Sequence, residues 1–199
     1  MSSAEKKITY FNKPGAQNTE EVIECAYERA KQGDIKQVVV ATFTGNTVLK
    51  LAEKFNDLDV NIVAITVWAG TAEERRMLFD NNMPTFDKLG IKHHRATHAL
   101  AGIERAVKAR WGGYCPGLLI SDALRLLGDG TKVCVEIILM AADAGLIDMT
   151  KDVMAIVGSG GGADTCLIIK PSYTTNLFDL GIKEIVCKPV VEGIKHEAR

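Results

Sequence analysis

A short apolar run that ends in a polar turn limits what this chain can fold into more than any other stretch of its sequence. Residues 38–41 are apolar and mostly β-branched, which predicts a buried strand. Residues 42–47 are mostly polar or small, and residues 48–55 have the spacing of an amphipathic helix. A strand that enters a helix through such a turn directs backbone N–H groups and hydroxyls at one point, where the helix dipole adds positive potential. The sequence therefore predicts an anion site here, most often one for phosphate.

The composition favours a single folded domain over residues 1–199. Hydrophobic residues make up 47% of the chain, which is enough for one full core. The net charge of −1 argues against a nucleic-acid partner, because such proteins neutralise phosphates with Lys and Arg. No apolar run reaches the length of a membrane span, and residues 1–7 lack the apolar core of a signal peptide. We therefore expect a cytoplasmic protein without a membrane partner.

Neither the cysteines nor the histidines have the spacing of a metal site. An odd number of cysteines without a CxxC pair predicts reduced, mostly buried thiols. The cysteines are Cys25, Cys115, Cys134, Cys166 and Cys187. His94 and His98 would share a face only on a helix, whereas this segment has the pattern of a strand and a turn. We predict no metal, and His98, at the expected end of the strand, becomes a candidate pocket residue.

Strand and helix patterns alternate along the chain. Strands are predicted at residues 8–11, 38–41, 60–67, 91–97, 152–157, 166–169 and 184–187. Helices are predicted at residues 18–33, 48–55, 73–80, 83–90, 100–109, 118–127 and 132–145. Asn18 and Glu21 have the spacing of a capping box, and Ile103 and Val107 are predicted to face inward. The alternation predicts an α/β fold with a mainly parallel sheet.

Ligands of open α/β sheets bind at the carboxyl ends of the strands. Trp68 and Gly70 follow the predicted strand at residues 60–67, so both are candidate site residues. Ordinary packing remains the alternative for Trp68.

The predicted helix at residues 132–145 is apolar on nearly all sides, so it should be buried. Its charged residues are Lys132, Glu136 and Asp143, and offsets of four and seven place them on one stripe. A charge on a buried helix must be paired or used. Two interpretations stay open: a Lys–Glu ion pair with Asp143 capping a neighbouring loop, or a polar stripe that lines a cleft.

A glycine-rich loop follows the predicted strand at residues 152–157. Residues 158–163 fit the GxGxxA pattern of dinucleotide sites, but a β-type run follows where that motif requires a helix. A phosphate-binding P-loop would need a Gly-Lys-Ser/Thr sequence that is absent. A plain glycine hairpin is the alternative, yet three consecutive glycines beside polar residues would let a ligand approach the backbone.

The turn formed by Thr42, Thr44, Gly45 and Thr47 resembles the Thr-x-Ser-Gly-x-Thr/Ser turn of the pyruvate kinase C-terminal domain, with Thr44 where serine is usual. In allosteric pyruvate kinases that turn holds a sugar-phosphate effector, and the glycine-rich loop lies where the second effector loop is found. The chain is similar, nearly end to end, to a stand-alone archaeal and bacterial group with this fold. The stretches that carry this second resemblance are residues 98–104, 130–137, 140–145 and 158–165.

The resemblance implies a three-layer α/β/α sandwich with a mostly parallel mixed sheet, and a site for flavin mononucleotide (FMN). It places the FMN phosphate on the 42–47 turn and the ring near residues 160–164. Lys132, Glu136 and His98 are the candidates for tuning the ring. The full set of predicted binding residues is Thr42, Thr44, Gly45, Asn46, Thr47, Trp68, Gly70, His98, Lys132, Glu136, Gly158, Ser159, Gly160, Gly161, Gly162, Asp164 and Thr165. The catalytic barrel of pyruvate kinase is absent, so pyruvate kinase activity is not expected.

Two functions from different classes follow. One is an FMN-binding protein with an unassigned reaction, an oxidoreductase being one candidate, for which the sequence names no substrate and no catalytic residue. The other is a non-catalytic sensor of a small phosphorylated metabolite. The turn has no Lys or Arg before Lys50, which favours binding through the backbone. A purely structural domain fits less well with two such loops, and a homo-oligomer is compatible with the sequence.

Overall fold

The computed structural model, which describes residues 5–193, contains seven strands and six α-helices. The strands are β1 (Thr9–Phe11), β2 (Gln37–Ala41), β3 (Asn61–Thr66), β4 (Lys92–Arg95), β5 (Val153–Val157), β6 (Thr165–Lys170) and β7 (Gly181–Pro189). The helices are α1 (Thr19–Ala30), α2 (Asn46–Lys54), α3 (Glu73–Lys88), α4 (Gly102–Trp111), α5 (Pro116–Arg125) and α6 (Asp129–Asp143). Strands and helices alternate as far as α4; α4, α5 and α6 are then consecutive and precede β5, β6 and β7. Expectations for residues 1–4 and 194–199 lie outside the described residues.

The strands form one sheet in the order β1-β7-β6-β5-β2-β3-β4. Every neighbouring pair is parallel except the two pairs that involve β6. The carboxyl ends of the other six strands therefore meet at one edge, together with the start of β6. This arrangement confirms the predicted mostly parallel mixed sheet.

Side chains alternate between the two faces of the sheet, and each face is covered by helices. Val38 and Val40 of β2 pack in the same cluster as residues of α1, α2 and α3. Val39 lies on the opposite face, where it packs with Cys134 and Ile138 of α6. This is the pattern of a sheet buried on both sides, and it confirms the predicted three-layer α/β/α sandwich.

Helix α3 corrects one prediction. The sequence predicted two short helices with a break near Pro84, but α3 runs unbroken from Glu73 to Lys88 with this proline inside it. Proline removes one helical N–H donor, and an interior proline usually ends a helix. Here Phe79 and Phe86, seven residues apart on one face, are both buried, so packing on both sides of the proline holds the helix together.

Helix α4 corrects a second prediction. Ile103 and Val107 were expected to face inward, but they are 82% and 38% exposed, and no residue of α4 is buried.

The predicted capping box at the start of α1 is also wrong, because Asn18 makes no side-chain bond to α1 and donates to the carbonyl of Lys13 instead. The apolar period of α4 and the spacing of Asn18 and Glu21 are both present in the sequence, but the tertiary structure gives these residues other contacts.

Helix α6 is as buried as its composition predicted. Within residues 5–193, no helix is both long enough and apolar enough to cross a membrane.

Candidate functional site at the carboxyl edge of the sheet

The two loops predicted to hold phosphate lie on adjacent strands. β2 pairs with β5 in parallel, so the turn after Ala41 and the glycine-rich loop after Val157 leave the same edge of the sheet side by side. From β2 the chain proceeds through α2 to β3 on one side, whereas β5 turns into β6 on the other side. A crevice at such a reversal of strand order is where open α/β sheets bind ligands.

The turn between β2 and α2 is held by its own hydroxyls. Gly45 has a φ of +99°, and its N–H donates to Thr42 Oγ1 at 2.8 Å. The N–H of Asn46 donates to Thr44 Oγ1 at 3.4 Å. Beyond Asn46, no side chain caps the start of α2, so the next first-turn N–H groups, including that of the buried Thr47, point out of the helix end. These are the groups that an anion would meet.

Asp164 shapes the glycine-rich loop from inside. Its carboxylate is fully buried and accepts hydrogen bonds from the N–H of Gly15 at 2.9 Å, the N–H of Ser159 at 3.0 Å and the hydroxyl of Thr165 at 2.9 Å. The predicted binding residues Asp164 and Thr165 therefore bond to each other and to the surrounding loops.

The tip of the glycine-rich loop is open. Gly160 and Gly161 have φ values of +87° and +152°, and a Cβ added at either would meet no atom within 4 Å. Gly158 and Gly162 lack this space. A Cβ at Gly158 would lie 2.4 Å from the carbonyl oxygen of Gly162, and a Cβ at Gly162 would lie 2.4 Å from the hydroxyl of Thr19. The base of the loop is thus packed, and its tip leaves room for a ligand to approach the backbone.

A second group of predicted residues forms a connected polar cluster. The carboxylate of Glu136 accepts hydrogen bonds from Lys132 Nζ and from the N–H of Leu100, the latter at 3.2 Å. Its Oε2 lies 2.8 Å from Nδ1 of His98. The rings of His98 and Trp68 meet edge to face, with centroids 5.4 Å apart. The cluster runs from inside α6 out to the partly exposed Trp68.

Charge in this cluster is set by burial and pairing. Burial would raise the pKa of Glu136, but the hydrogen bond with His98 and the ammonium of Lys132 outweigh burial and lower that pKa to about 2. Burial lowers the pKa of Lys132, and the negative charge of Glu136 offsets only part of this lowering. Glu136 is therefore an anion at neutral pH, held inside the protein by three neighbours.

The contacts support the first interpretation of the charged stripe on α6, the ion pair with a loop cap. Asp143 caps the neighbouring loop, accepting bonds from the N–H and the hydroxyl of Thr174 at 3.1 and 2.7 Å. Lys132 and Glu136 form the expected ion pair, and this pair also reaches His98 at the sheet edge.

The start of α6 lies directly on the start of β6. A Cβ added at Gly130 would lie 2.0 Å from the hydroxyl of Thr165, so only glycine permits this approach. Gly70 lies near the polar cluster, since a Cβ there would come 3.0 Å from the indole nitrogen of Trp68.

Two residues beside the turn after β2 were missed from the sequence. The guanidinium of Arg75 lies 4.7 Å from the ring centroid of Phe43, and the amide of Asn82 donates to the carbonyl of Thr44 at 2.7 Å. Both come from α3, and no local motif marks either residue. One signal was available: if β2 and β3 are neighbours in the sheet, the helix that follows β3 is expected near the turn that follows β2.

Two surface hollows of about 360 Å³ each lie outside the predicted set. One is lined by Tyr10, Phe11, Asn12, Lys13, Gln17, Asn18 and Glu21, and the other by Asp87, Gly90, Ile91, Lys92, His93 and Leu146. Among residues 5–193, no group of three or more His, Cys, Asp or Glu side chains is arranged to hold a metal ion.

All five cysteines are free thiols. Four are buried and Cys25 is partly exposed. A hydrogen bond from Cys187 lowers the pKa of Cys25 to about 6, against the effect of burial, and the hydroxyl of Thr9 at 3.8 Å adds to this lowering. Burial raises the pKa of Cys134 and Cys166.

We expect iodoacetamide to alkylate Cys25 before any other cysteine at pH 7, because the thiolate is the nucleophile. The rate should rise through a midpoint near about pH 6, whereas an unperturbed thiol titrates near about 8.5. Intact mass spectrometry followed by peptide mapping measures both quantities. The Cys25→Ser variant is the control and should lose the first adduct. A first adduct on Cys115, or a midpoint above about 8, would contradict this assignment.

Comparison with known proteins places the fold in a family. The model of the family described as "Pyruvate kinase, alpha/beta domain" matches residues 20–169. Among solved structures, a pyruvate kinase from Cryptosporidium parvum is 19% identical, with 78% of this chain and 22% of that chain covered and a TM-score of 0.36. The ADP complex of Cryptosporidium parvum pyruvate kinase is 20% identical, with 79% and 24% covered and a TM-score of 0.35.

An NH3-dependent NAD synthetase from Campylobacter jejuni is 14% identical, with 72% of this chain and 56% of that chain covered and a TM-score of 0.38. This chain spans less than a quarter of the length of the two pyruvate kinase chains. The family match, in contrast, takes in about three quarters of the chain, from the start of α1 into β6. The chain therefore belongs to the pyruvate kinase alpha/beta-domain family.

Proposed function

We propose that this protein binds a small phosphate-containing ligand between the loops that follow β2 and β5, and that this ligand is FMN. The observation that carries the proposal is the adjacency of these two loops at the reversal of strand order. The kinase reaction is not part of the proposal, because the chain corresponds to less than a quarter of the pyruvate kinase chains it resembles.

The residues at this edge fit the two ends of a flavin nucleotide. For the phosphate, the turn provides the hydroxyls of Thr42 and Thr44 and the uncapped N–H groups of α2. For the ring, the open tip at Gly160 and Gly161 leaves space beside the backbone. A bound flavin would supply a redox centre. The chain's own part would be to fix the phosphate and to place polar groups beside the ring.

Glu136 supports this arrangement by orienting His98. Its carboxylate holds Nδ1 of the imidazole, which leaves Nε2 as the ring nitrogen free to meet a ligand. Trp68, 39% exposed, packs against the same imidazole and offers a flat apolar surface at the edge. The cluster would therefore present an aromatic surface and an imidazole nitrogen, backed by a buried anion.

Arg75 favours the second candidate, a sensor of a phosphorylated metabolite. A sugar-phosphate site needs cations beside the phosphate turn, and the sequence of the turn itself contains none. Arg75 brings a guanidinium to the Phe43 side of the turn, and guanidinium groups bind phosphate oxygens in pairs.

Fluorescence titration of the purified protein with FMN and with riboflavin tests the first proposal. If the turn binds the phosphate, FMN should bind at least roughly 10-fold more tightly than riboflavin, which lacks that group. The variant with both Thr44→Val and Thr47→Val should bind FMN more weakly by roughly 1–3 kcal/mol with little loss of fold. Thr85→Val, at an exposed position on α3, is the matched control and should leave FMN binding unchanged.

Competition separates the two candidates. Equal affinity for FMN and riboflavin, or unchanged FMN affinity in the double variant, would remove the phosphate assignment. Failure to bind flavin, together with binding of a sugar bisphosphate that Arg75→Gln abolishes, would establish the sensor instead. Failure to bind either class of ligand would overturn both proposals.

A further inference from the structure

Helix α4 carries an apolar stripe that the rest of the described chain leaves uncovered. Ile103, Val107 and Trp111 recur at four-residue intervals and therefore share one face of the helix. Their exposed fractions are 82%, 38% and 74%, and Tyr114, just beyond the helix, is fully exposed. Single exposed apolar residues are common, whereas a contiguous stripe with two aromatic residues marks a contact surface.

The stripe is held in place by a contact on its flank, through Glu104. The carboxylate of Glu104 accepts hydrogen bonds from the N–H groups of Gly117 and Leu118 at 3.0 and 2.9 Å, which joins α4 to the first turn of α5. A ten-residue helix is marginal without packing, and this one buries no residue of its own. Its exposed face is therefore a formed surface that lacks a partner within the described chain.

We propose that this stripe is the interface between two copies of the chain, packed antiparallel about a two-fold axis at Val107. In that pairing each Ile103 meets Trp111 of the second copy, and Val107 meets its equivalent. Burial of these residues and Tyr114 would remove on the order of 500–600 Å² per copy from water, before the flanking side chains are counted. The smallest standard interfaces bury roughly 600 Å² per partner, so the stripe with its flanking side chains reaches the lower end of the size that a stable dimer needs.

The charges beside the stripe fit a second copy. On one flank of the antiparallel pair, Glu104 comes beside Lys108 of the second copy. On the other flank, Arg110 comes beside Ala106, and Arg105 points away from the contact. The two-fold axis thus brings unlike charges together and opposes no like pair, which is the self-complementarity that a symmetric dimer requires.

Sedimentation of the full chain between about 1 and 100 μM tests the proposal, since standard-size interfaces populate a dimer within this range. The wild-type protein should be dimeric at the upper concentration. Val107→Glu would bring two carboxylates together at the axis and should weaken dimerisation roughly 100-fold or more. Leu89→Glu is the matched control, because Leu89 is 56% exposed at the end of α3 and should leave the dimer unchanged.

Lys108→Glu provides a second test at an exposed position. It would place a carboxylate beside Glu104 of the second copy, so dimerisation should weaken most at low salt. Circular dichroism checks that each variant keeps its helices. A wild-type protein that is monomeric at 100 μM would overturn the proposal, as would a dimer that Val107→Glu and Leu89→Glu affect equally.

Discussion

Replacement of Glu136 by leucine is expected to lower the free energy of unfolding by roughly 3–5 kcal/mol. Glu136 is fully buried and is the hydrogen-bond partner of Lys132, which is 3% exposed. Without the carboxylate, a buried ammonium has no counter-charge and the N–H of Leu100 loses its acceptor. Urea denaturation monitored by circular dichroism measures the change.

The double variant with Lys132→Met and Glu136→Leu is the control for this first prediction. It removes both charges, so it should recover a large part of the stability that Glu136→Leu loses. Lys132→Met alone should be milder, because Glu136 keeps His98 and the N–H of Leu100 as partners. If all three variants unfold within about 1 kcal/mol of the wild type, the cluster is not a stabilising ion network.

Gly45→Ala is expected to destabilise the protein by roughly 2–4 kcal/mol and to weaken ligand binding at the turn. Two effects add. Gly45 has a φ of +99°, a conformation that L-residues adopt at a cost. An added Cβ would also lie 2.8 Å from the Phe86 ring and 2.9 Å from the amide of Asn82, so a buried ring and a bonded amide must shift.

Gly33→Ala separates these two effects. Gly33 has a φ of +84°, but a Cβ there meets no atom within 4 Å. This control should lose only the conformational part, roughly 1–2 kcal/mol. Equal losses in thermal and urea unfolding for both variants would mean that the contacts of Gly45 with α3 do not hold the turn.

Much of the sheet could be predicted because its strands are buried on both faces. Such strands appear in sequence as unbroken apolar runs, as in residues 38–41 and 153–157. The order of the strands could not be derived in this way. Pairing of β1 with β7 joins Thr9 to Cys187 across nearly the whole chain, and no local pattern encodes such a partner.

The errors share a physical cause, namely that local patterns do not say what a surface will meet. The period of Ile103 and Val107 is that of a helix with an apolar face, and the helix exists, but the face is not covered by the described chain. An interior proline ends most helices, yet burial of Phe79 and Phe86 holds α3 together across Pro84. In both cases tertiary context determined the outcome.

The parts of the candidate site that could be predicted are those in which the characteristic residues are consecutive in the sequence. The turn after β2 and the loop after β5 each carry a local signature, so the sequence predicted a turn and a loop at the two positions where the structure has them. Arg75 and Asn82 have no signature, because what matters is the packing of α3 beside the turn. The internal role of Asp164 could not be predicted either, because an aspartate that organises a loop and one that contacts a ligand look alike in the sequence.

The pairing of β1 with β7 has a consequence for how the chain is made. A ribosome synthesises β1 first and β7 last, and β1 has β7 as its neighbour in the sheet. The bond from the N–H of Val190 to the carbonyl of Phe11 at 2.8 Å likewise joins early and late residues. The partner of β1 in the sheet is therefore made only after the other five strands, so β1 cannot dock in its final place until β7 has left the exit tunnel.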